Sequence, residues 1–206
     1  MQPNIARQRP NVMADNFSEE SDEALIKAAT NGASAVRDIA FRVLIERYQG
    51  LVAQLVWRII PNAEDREEIC QDVFLKVYFN LEQFRFDSKF STWLYTVAYR
   101  TSLSALRKKK LPTEEYDLER HEGSGQNQAS FFIQEEISRE LEVALTKLST
   151  EERSIVTLYH FHTCTIEEIA KIVEKPSGTL KSLLFRIRGK LRSKLSAELI
   201  QEYKEA

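Results

Sequence analysis

The run Pro176-Ser-Gly-Thr-Leu-Lys-Ser-Leu-Leu-Phe-Arg-Ile-Arg188 sets small hydroxyl residues at its start and cations further along, with no acid before Lys194. Such side chains hydrogen-bond to base edges and ion-pair with phosphates. A second concentration, Phe84-Arg-Phe-Asp-Ser-Lys-Phe-Ser-Thr-Trp93, interleaves aromatics with cations, as a stacking platform for unpaired bases would. A third, His160-Phe-His-Thr-Cys164, has metal-ligating types but lacks a clear fourth ligand unless Cys70 or another chain supplies one. The other reading of that segment is an interhelical turn with incidental ligand types, and no metal or cofactor is expected. No phosphate-cradling glycine loop, nucleophile-base set or carboxylate pair in a recognisable setting suggests an enzyme.

These groups need helices to hold them, and the punctuation for helices is legible. Ser149-Thr-Glu-Glu152 and Thr165-Ile-Glu-Glu168 each place a hydroxyl three residues before a glutamate, the capping-box arrangement, so each opens a helix. The helix from Ile166 to about Val173 is short and stops at Glu174-Lys175-Pro176. Ser177 is then expected to cap a longer basic helix whose core face is Leu180, Leu184, Ile187 and Leu191. Helix, tight turn and cationic helix make a DNA-reading helix-turn-helix. Ser177, Gly178, Thr179, Lys181 and Ser182 would meet bases, and Arg186, Arg188 and Lys190 phosphates. A solvated basic face on a structural hairpin is the bland alternative.

Upstream, one helical pattern runs from Asp22 to Thr30, breaks at Asn31-Gly32, and resumes through Phe41, Leu44, Ile45, Tyr48, Val52, Leu55, Val56 and Ile59 until Pro61. Asn62 caps the next helix, with Glu64, Asp65, Glu67 and Glu68 at its positive end and Ile69, Val73, Val77 and Leu81 as its core face. A fourth helix spans about Ser91 to Lys110. Residues 1–20 read as a flexible leader. Residues 111–130 carry Glu114, Glu115, Asp117, Glu119 and Glu122 against Arg120 and read as a linker. Helical periodicity returns at Phe131 and continues through Ile137, Leu141, Leu145 and Leu148. The fold class is all-α: two small helical domains, 21–110 and 131–206, joined by a flexible acidic linker.

The net charge of −2 conceals two basic stretches, Trp93–Lys110 and Pro176–Lys194, on either side of that acidic segment. The two cysteines, Cys70 and Cys164, do not form a disulfide framework, and no apolar run approaches a bilayer's thickness, so a cytoplasmic chain without membrane insertion is expected.

The order of motifs is specific. Ile166-Glu-Glu-Ile-Ala170, Pro176-Ser-Gly-Thr-Leu-Lys-Ser182, Arg186-Ile-Arg188 and Leu191-Arg192 resemble region four of the extracytoplasmic-function group of bacterial RNA polymerase sigma factors. Glu64-Asp-Arg-Glu-Glu-Ile-Cys-Gln-Asp-Val-Phe-Leu-Lys-Val77 is similar to the polymerase-binding helix of region two, and Phe90-Ser-Thr-Trp-Leu-Tyr-Thr-Val-Ala-Tyr-Arg100 to its promoter-melting helix. The resemblance covers about three quarters of the chain and, as in that group, lacks the third region of larger sigma factors.

It implies that Glu68, Gln71, Asp72 and Leu75 dock on core RNA polymerase. Phe84, Arg85, Phe86, Lys89, Phe90, Ser91, Thr92, Tyr95, Tyr99, Arg100 and Lys108 would serve the minus-ten element, although Phe84, Phe86 and Phe90 could equally pack in the core. Thr165, Ser177, Gly178, Thr179, Lys181, Ser182, Phe185, Arg186 and Arg188 would serve the minus-thirty-five element. An anti-sigma partner is implied, which could hold the chain at the membrane, and no small-molecule substrate is. Leu183 and Phe185 stand where a cation and a His or similar polar residue are frequent in the family, so they could touch thymine methyls or face a partner. The rival reading is a stand-alone helix-turn-helix regulator with an N-terminal sensor domain, which would bind duplex DNA tightly without polymerase.

Overall fold

The computed structural model describes residue 17 and residues 19–109 and 141–193. The acidic linker, the helical restart at Phe131 and nearly all of the leader lie outside the described residues, as do residues 194–206. No strand occurs among the described residues.

The first domain is built from α1 (Asp22–Asn31), α2 (Ser34–Ile59), α3 (Ala63–Asn80) and α4 (Phe90–Lys109). Ser21 caps α1, its Oγ accepting from the Ala24 N–H at 3.2 Å. Gly32 follows α1 with its N–H on the Ala28 carbonyl oxygen at 3.0 Å, and a Cβ there would lie 2.5 Å from that oxygen and 3.0 Å from Val36 Cγ1 of α2, so the close turn between the helices favours glycine. Asn62 caps α3 as expected, accepting from the Glu64 N–H at 2.8 Å. Arg66 closes the α2–α3 turn by donating to the carbonyls of Ile60 and Pro61, both at 2.9 Å. The expected apolar stripes point inward: Leu44, Tyr48, Val52, Leu55, Val56 and Ile59 from α2, and Ile69, Val73 and Val77 from α3, followed by Leu81.

In the second domain, helical residues 141–146 lead to α5 (Thr150–Val156), a widened turn (Thr157–Phe161), α6 (Ile166–Val173) and α7 (Ser177–Arg192). Both capping boxes form with reciprocal hydrogen bonds, Ser149 with Glu152 and Thr165 with Glu168. Glu174 ends α6 in the left-handed region at φ 56°, which makes the tight turn of the helix-turn-helix. Ser177 is not the cap expected of it. Pro176, with φ −57°, occupies that position, Ser177 is the first helical residue, and the Pro176 carbonyl accepts from Leu180 at 3.2 Å. No side chain caps the first turn of α7.

The two domains pack against each other, α4 on α6 and α2 on α5, and their buried residues form one continuous cluster. Arg153 ties them. It donates to the Leu145 and Leu148 carbonyls at 3.1 and 3.2 Å, and across the boundary to the Arg58 carbonyl at 3.1 Å. Arg58 in turn pairs with Glu142 at 2.7 Å and lies 4.8 Å above the Phe161 ring.

Candidate nucleic-acid interface

α7 meets its own domain through Leu180, Leu183, Leu184 and Ile187, all buried. The opposite face exposes Gly178, Thr179, Lys181, Ser182, Phe185, Arg186 and Arg188, with Ser177 half-buried at its start. The assembled surface therefore offers the expected mixture of hydroxyls and cations, aligned by one helix. Two expectations change. Leu183 is only 8% exposed and belongs to the core, whereas Phe185, two residues on and so on another face, is 79% exposed. Lys190 pairs with Glu152 at 2.6 Å, which braces the domain, while its side chain stays 56% exposed. Burial would raise the Glu152 pKa, but hydrogen bonds from Lys190 and from Ser149 outweigh that and hold the carboxyl below its ordinary value. Thr165 is exposed, and its hydroxyl oxygen is engaged in capping α6.

The aromatic loop divides. Phe84 and Phe90 are buried and stack with Trp93, at ring separations of 5.5 and 5.8 Å. Phe86 projects, 45% exposed at φ 60°, with its ring 4.8 Å from that of Phe84. Thus one of the three phenylalanines presents its ring to solvent, flanked by exposed Arg85. Ser91 is half-buried, and Lys108 is exposed near the far end of α4.

The remaining α4 residues lie differently from the expectation of an open DNA face. Thr92, Tyr95 and Tyr99 are buried, because α6 and the turn before it cover them. Tyr95 Oη shares a 3.2 Å hydrogen bond with His162 Nδ1, Thr92 Oγ1 donates to Glu168 at 3.4 Å, Lys89 pairs with Glu168 at 2.9 Å, and Arg100 pairs with Glu174. Burial raises the Tyr99 pKa to about 12, so its hydroxyl stays protonated. The Glu168 hydrogen bond raises the pKa of Lys89.

His160, His162 and Cys164 do not converge. His160 packs edge-on to Tyr159, His162 turns to Tyr95, and buried Cys164 rests its Sγ 3.7 Å from the His162 carbonyl oxygen. Burial, reinforced by Glu168, raises the Cys164 thiol to about 11. No group of three metal-ligating residues occurs among the described residues.

On α3, Glu68, Gln71, Asp72 and Leu75 all lie exposed, opposite the buried stripe. The sequence reading missed Phe79, 74% exposed and one turn beyond Leu75, and Trp57, exposed beneath the Arg66 guanidinium at 5.7 Å. The signal was available: Phe79 follows Leu75 by four positions and so extends its face, off the core stripe.

A helical domain followed by an outward-facing helix-turn-helix defines a class of DNA-binding transcription proteins. Residues 44–111 match the family Sigma-70 region 2, and residues 138–191 match Sigma-70, region 4. The ECF RNA polymerase sigma-E factor of Escherichia coli (strain K12) is 31% identical over 185 residues, covering 85% of this chain and 94% of its own. The ECF RNA polymerase sigma factor SigW of Bacillus subtilis (strain 168) is 28% identical over 184 residues, covering 84% and 98%. Two solved structures share the fold. CnrH, solved with the cytosolic domain of CnrY, gives a TM-score of 0.59 at 20% identity, covering 84% of this chain and 96% of that one. The sigma factor RpoE of Bartonella quintana, solved with the anti-sigma factor NepR, gives 0.58 at 19%, covering 78% and 96%. The chain belongs to the extracytoplasmic-function group of the sigma-70 family of transcription initiation factors, and is an alternative sigma factor that directs RNA polymerase to promoters.

Proposed function

We propose that three surfaces divide this work. The α3 face formed by Glu68, Gln71, Asp72 and Leu75, extended by Phe79, grips core polymerase. Its acidic rim and apolar centre suit a basic helical partner. The α7 face reads the duplex of the upstream, minus-thirty-five element, with Ser177, Thr179, Lys181, Ser182 and Phe185 toward bases and Arg186 and Arg188 toward phosphates. The Phe84–Phe90 loop and α4 serve the minus-ten element, where Phe86 stacks on an unpaired base while Arg85, Lys89, Arg100 and Lys108 attract the backbone. Melting then needs no catalytic residue: capturing an extruded base lowers the free energy of the opened duplex, and the bond-making chemistry is the polymerase's. An anti-sigma protein is part of the proposal, since CnrH and the Bartonella factor were each solved with a partner protein, the latter named as an anti-sigma factor.

The observation that carries the reading is the coexistence of an exposed, acid-free recognition face on α7 with a separate exposed acidic and apolar face on α3. The stand-alone regulator accounts for the first and leaves the second without a use. Run-off transcription with bacterial core polymerase and fragmented host DNA tests this. Specific new starts that disappear when Gln71 and Asp72 are both changed to alanine support it. Failure to bind polymerase, together with tight duplex binding by the chain alone, would establish the stand-alone regulator instead.

A further inference from the structure

The widened turn Thr157–Phe161 brings two further side chains up to α7. The His162 N–H reaches back five residues to the Thr157 carbonyl at 3.1 Å, so the chain leaving α5 takes one residue more in this turn than an α-helix does. Thr157 and Leu158 fill the core, while Tyr159 is half-buried and His160 exposed. The Arg188 guanidinium of α7 stands 5.7 Å from the centre of the Tyr159 ring, and the His160 ring meets that of Tyr159 edge-on at 4.9 Å. Arg188 follows Lys181 by seven residues, about two helical turns, so the two cations share one flank of α7. Lys190, on the other flank, pairs with Glu152 of α5, whereas Arg188 pairs with no carboxylate among the described residues. Burial, followed by the charge of Arg188, lowers the pKa of His160, so its ring is neutral at pH 7 and offers an N–H without repelling the guanidinium.

We propose that Tyr159, His160 and Arg188 form a phosphate-binding corner between the widened turn and α7, in which Tyr159 is a positioning residue that holds the Arg188 guanidinium ready for the backbone of the minus-thirty-five duplex. The inference rests on reading α7 as the duplex-contacting helix, and it extends that surface to a second element. An arginine on an exposed helix face moves among many rotamers, and ordering it on contact opposes binding. A ring beside the guanidinium orders it beforehand. The fork of N–H groups suits two oxygens of one phosphate, and the neutral imidazole supplies a further donor next to it. Base identity is not read at this corner, because a phosphate contact fixes register and orientation for every sequence alike. Discrimination stays with Lys181, Ser182 and Phe185 on the outward face.

Holoenzyme assembled from core polymerase and the full-length chain tests this on promoter duplexes with an intact or a scrambled minus-thirty-five element, with affinity measured over a range of salt concentrations. Arg188→Gln is expected to weaken binding to both duplexes by the same factor, about three- to tenfold, and to flatten the slope of log affinity against log salt by about 1. Tyr159→Leu is expected to weaken binding about two- to fivefold, as loss of an exposed cation–π pair does, and to shrink the further effect of Arg188→Gln. Tyr159→Phe keeps the ring and should match the parent in affinity and slope. Equal losses from Arg188→Gln with and without Tyr159→Leu would overturn the positioning role of the ring. An unchanged salt slope in Arg188→Gln overturns the phosphate corner, and because that side chain is exposed, the variant decides the point even where Tyr159→Leu lowers the Tm. A holoenzyme whose binding ignores the scrambling defeats the α7 reading itself, an outcome distinct from a discriminating holoenzyme that is indifferent to Arg188→Gln.

Discussion

Tyr95 and His162, separated by 67 residues in the chain, share a buried 3.2 Å hydrogen bond that pins α4 to the turn before the helix-turn-helix. His162 Nε2, on the other side of the ring, is buried and finds no partner among the described residues. The ring is therefore held neutral. Desolvation, with Arg58 nearby, lowers its pKa to about 4.

That depression makes stability depend on pH. The unfolded chain takes the proton near the ordinary value of 6.5 and the folded chain only near 4, so the contribution is complete above 6.5 and is lost as pH falls between the two. Through this group the protein is expected to lose about 2 kcal/mol of unfolding free energy from pH 7 to pH 5. His160 is lowered in the same direction, so the comparison must be with His162→Gln, measured by urea denaturation at both pH values. Parallel losses in the two proteins would refute it.

Removing the hydroxyl of Tyr95 tests the same bond from the other side. Tyr95→Phe keeps the buried ring and leaves His162 Nδ1 without its partner, so a loss of about 1–3 kcal/mol is expected at pH 7. Denaturant titration that shows no change would mean that the hydrogen bond is replaced or contributes nothing.

Thr165→Ala deletes the cap of α6. The expected cost is about 1 kcal/mol, a fall in Tm of roughly 2–4 °C for a chain of this size. Calorimetry checks it. Ser149→Ala, in the other capping box, should behave alike, and a much smaller effect there would show that the two boxes differ in importance.

Leu183 and Phe185 should separate stability from function. Leu183→Ala empties a core position and is expected to cost about 2–5 kcal/mol. Phe185→Ala should change stability by no more than about 0.5 kcal/mol. It should nonetheless reduce promoter-dependent run-off transcription about tenfold, the equivalent of one lost base contact. Unchanged transcription would remove Phe185 from the recognition surface.

Leu75→Ala and Phe79→Ala should leave the fold intact, because both side chains stand in solvent. Each is expected to weaken core polymerase binding about tenfold, as loss of an apolar anchor at the centre of an interface does. Co-purification with polymerase, alongside thermal melts, distinguishes lost binding from lost folding.

Local chemistry made much of this fold legible. The capping residues Asn62, Ser149 and Thr165, the stop at Pro61, and the stripes through Ile69, Val73 and Val77 depend on neighbours within a turn or two, where residue type and spacing suffice. The outward face of α7 followed for the same reason, since a stripe of Leu180, Leu184 and Ile187 fixes which residues point away. Ser177 misled because a proline before it starts a helix without a side-chain cap. Phe79 lies off the core stripe, and its spacing of four from Leu75 is the one local mark of the face it extends.

The sequence by itself determined the described helices, the caps Asn62, Ser149 and Thr165, the two basic stretches and the identity of the family. Only the tertiary structure decided which aromatics of the Phe84–Phe90 loop face solvent, that Lys190 is held by Glu152, and that Thr92, Tyr95 and Tyr99 lie beneath α6. Amphipathic tyrosines and paired lysines suit a protein boundary as well as a DNA surface. What covers them depends on contacts between residues many tens of positions apart, and no periodicity within a single helix encodes those.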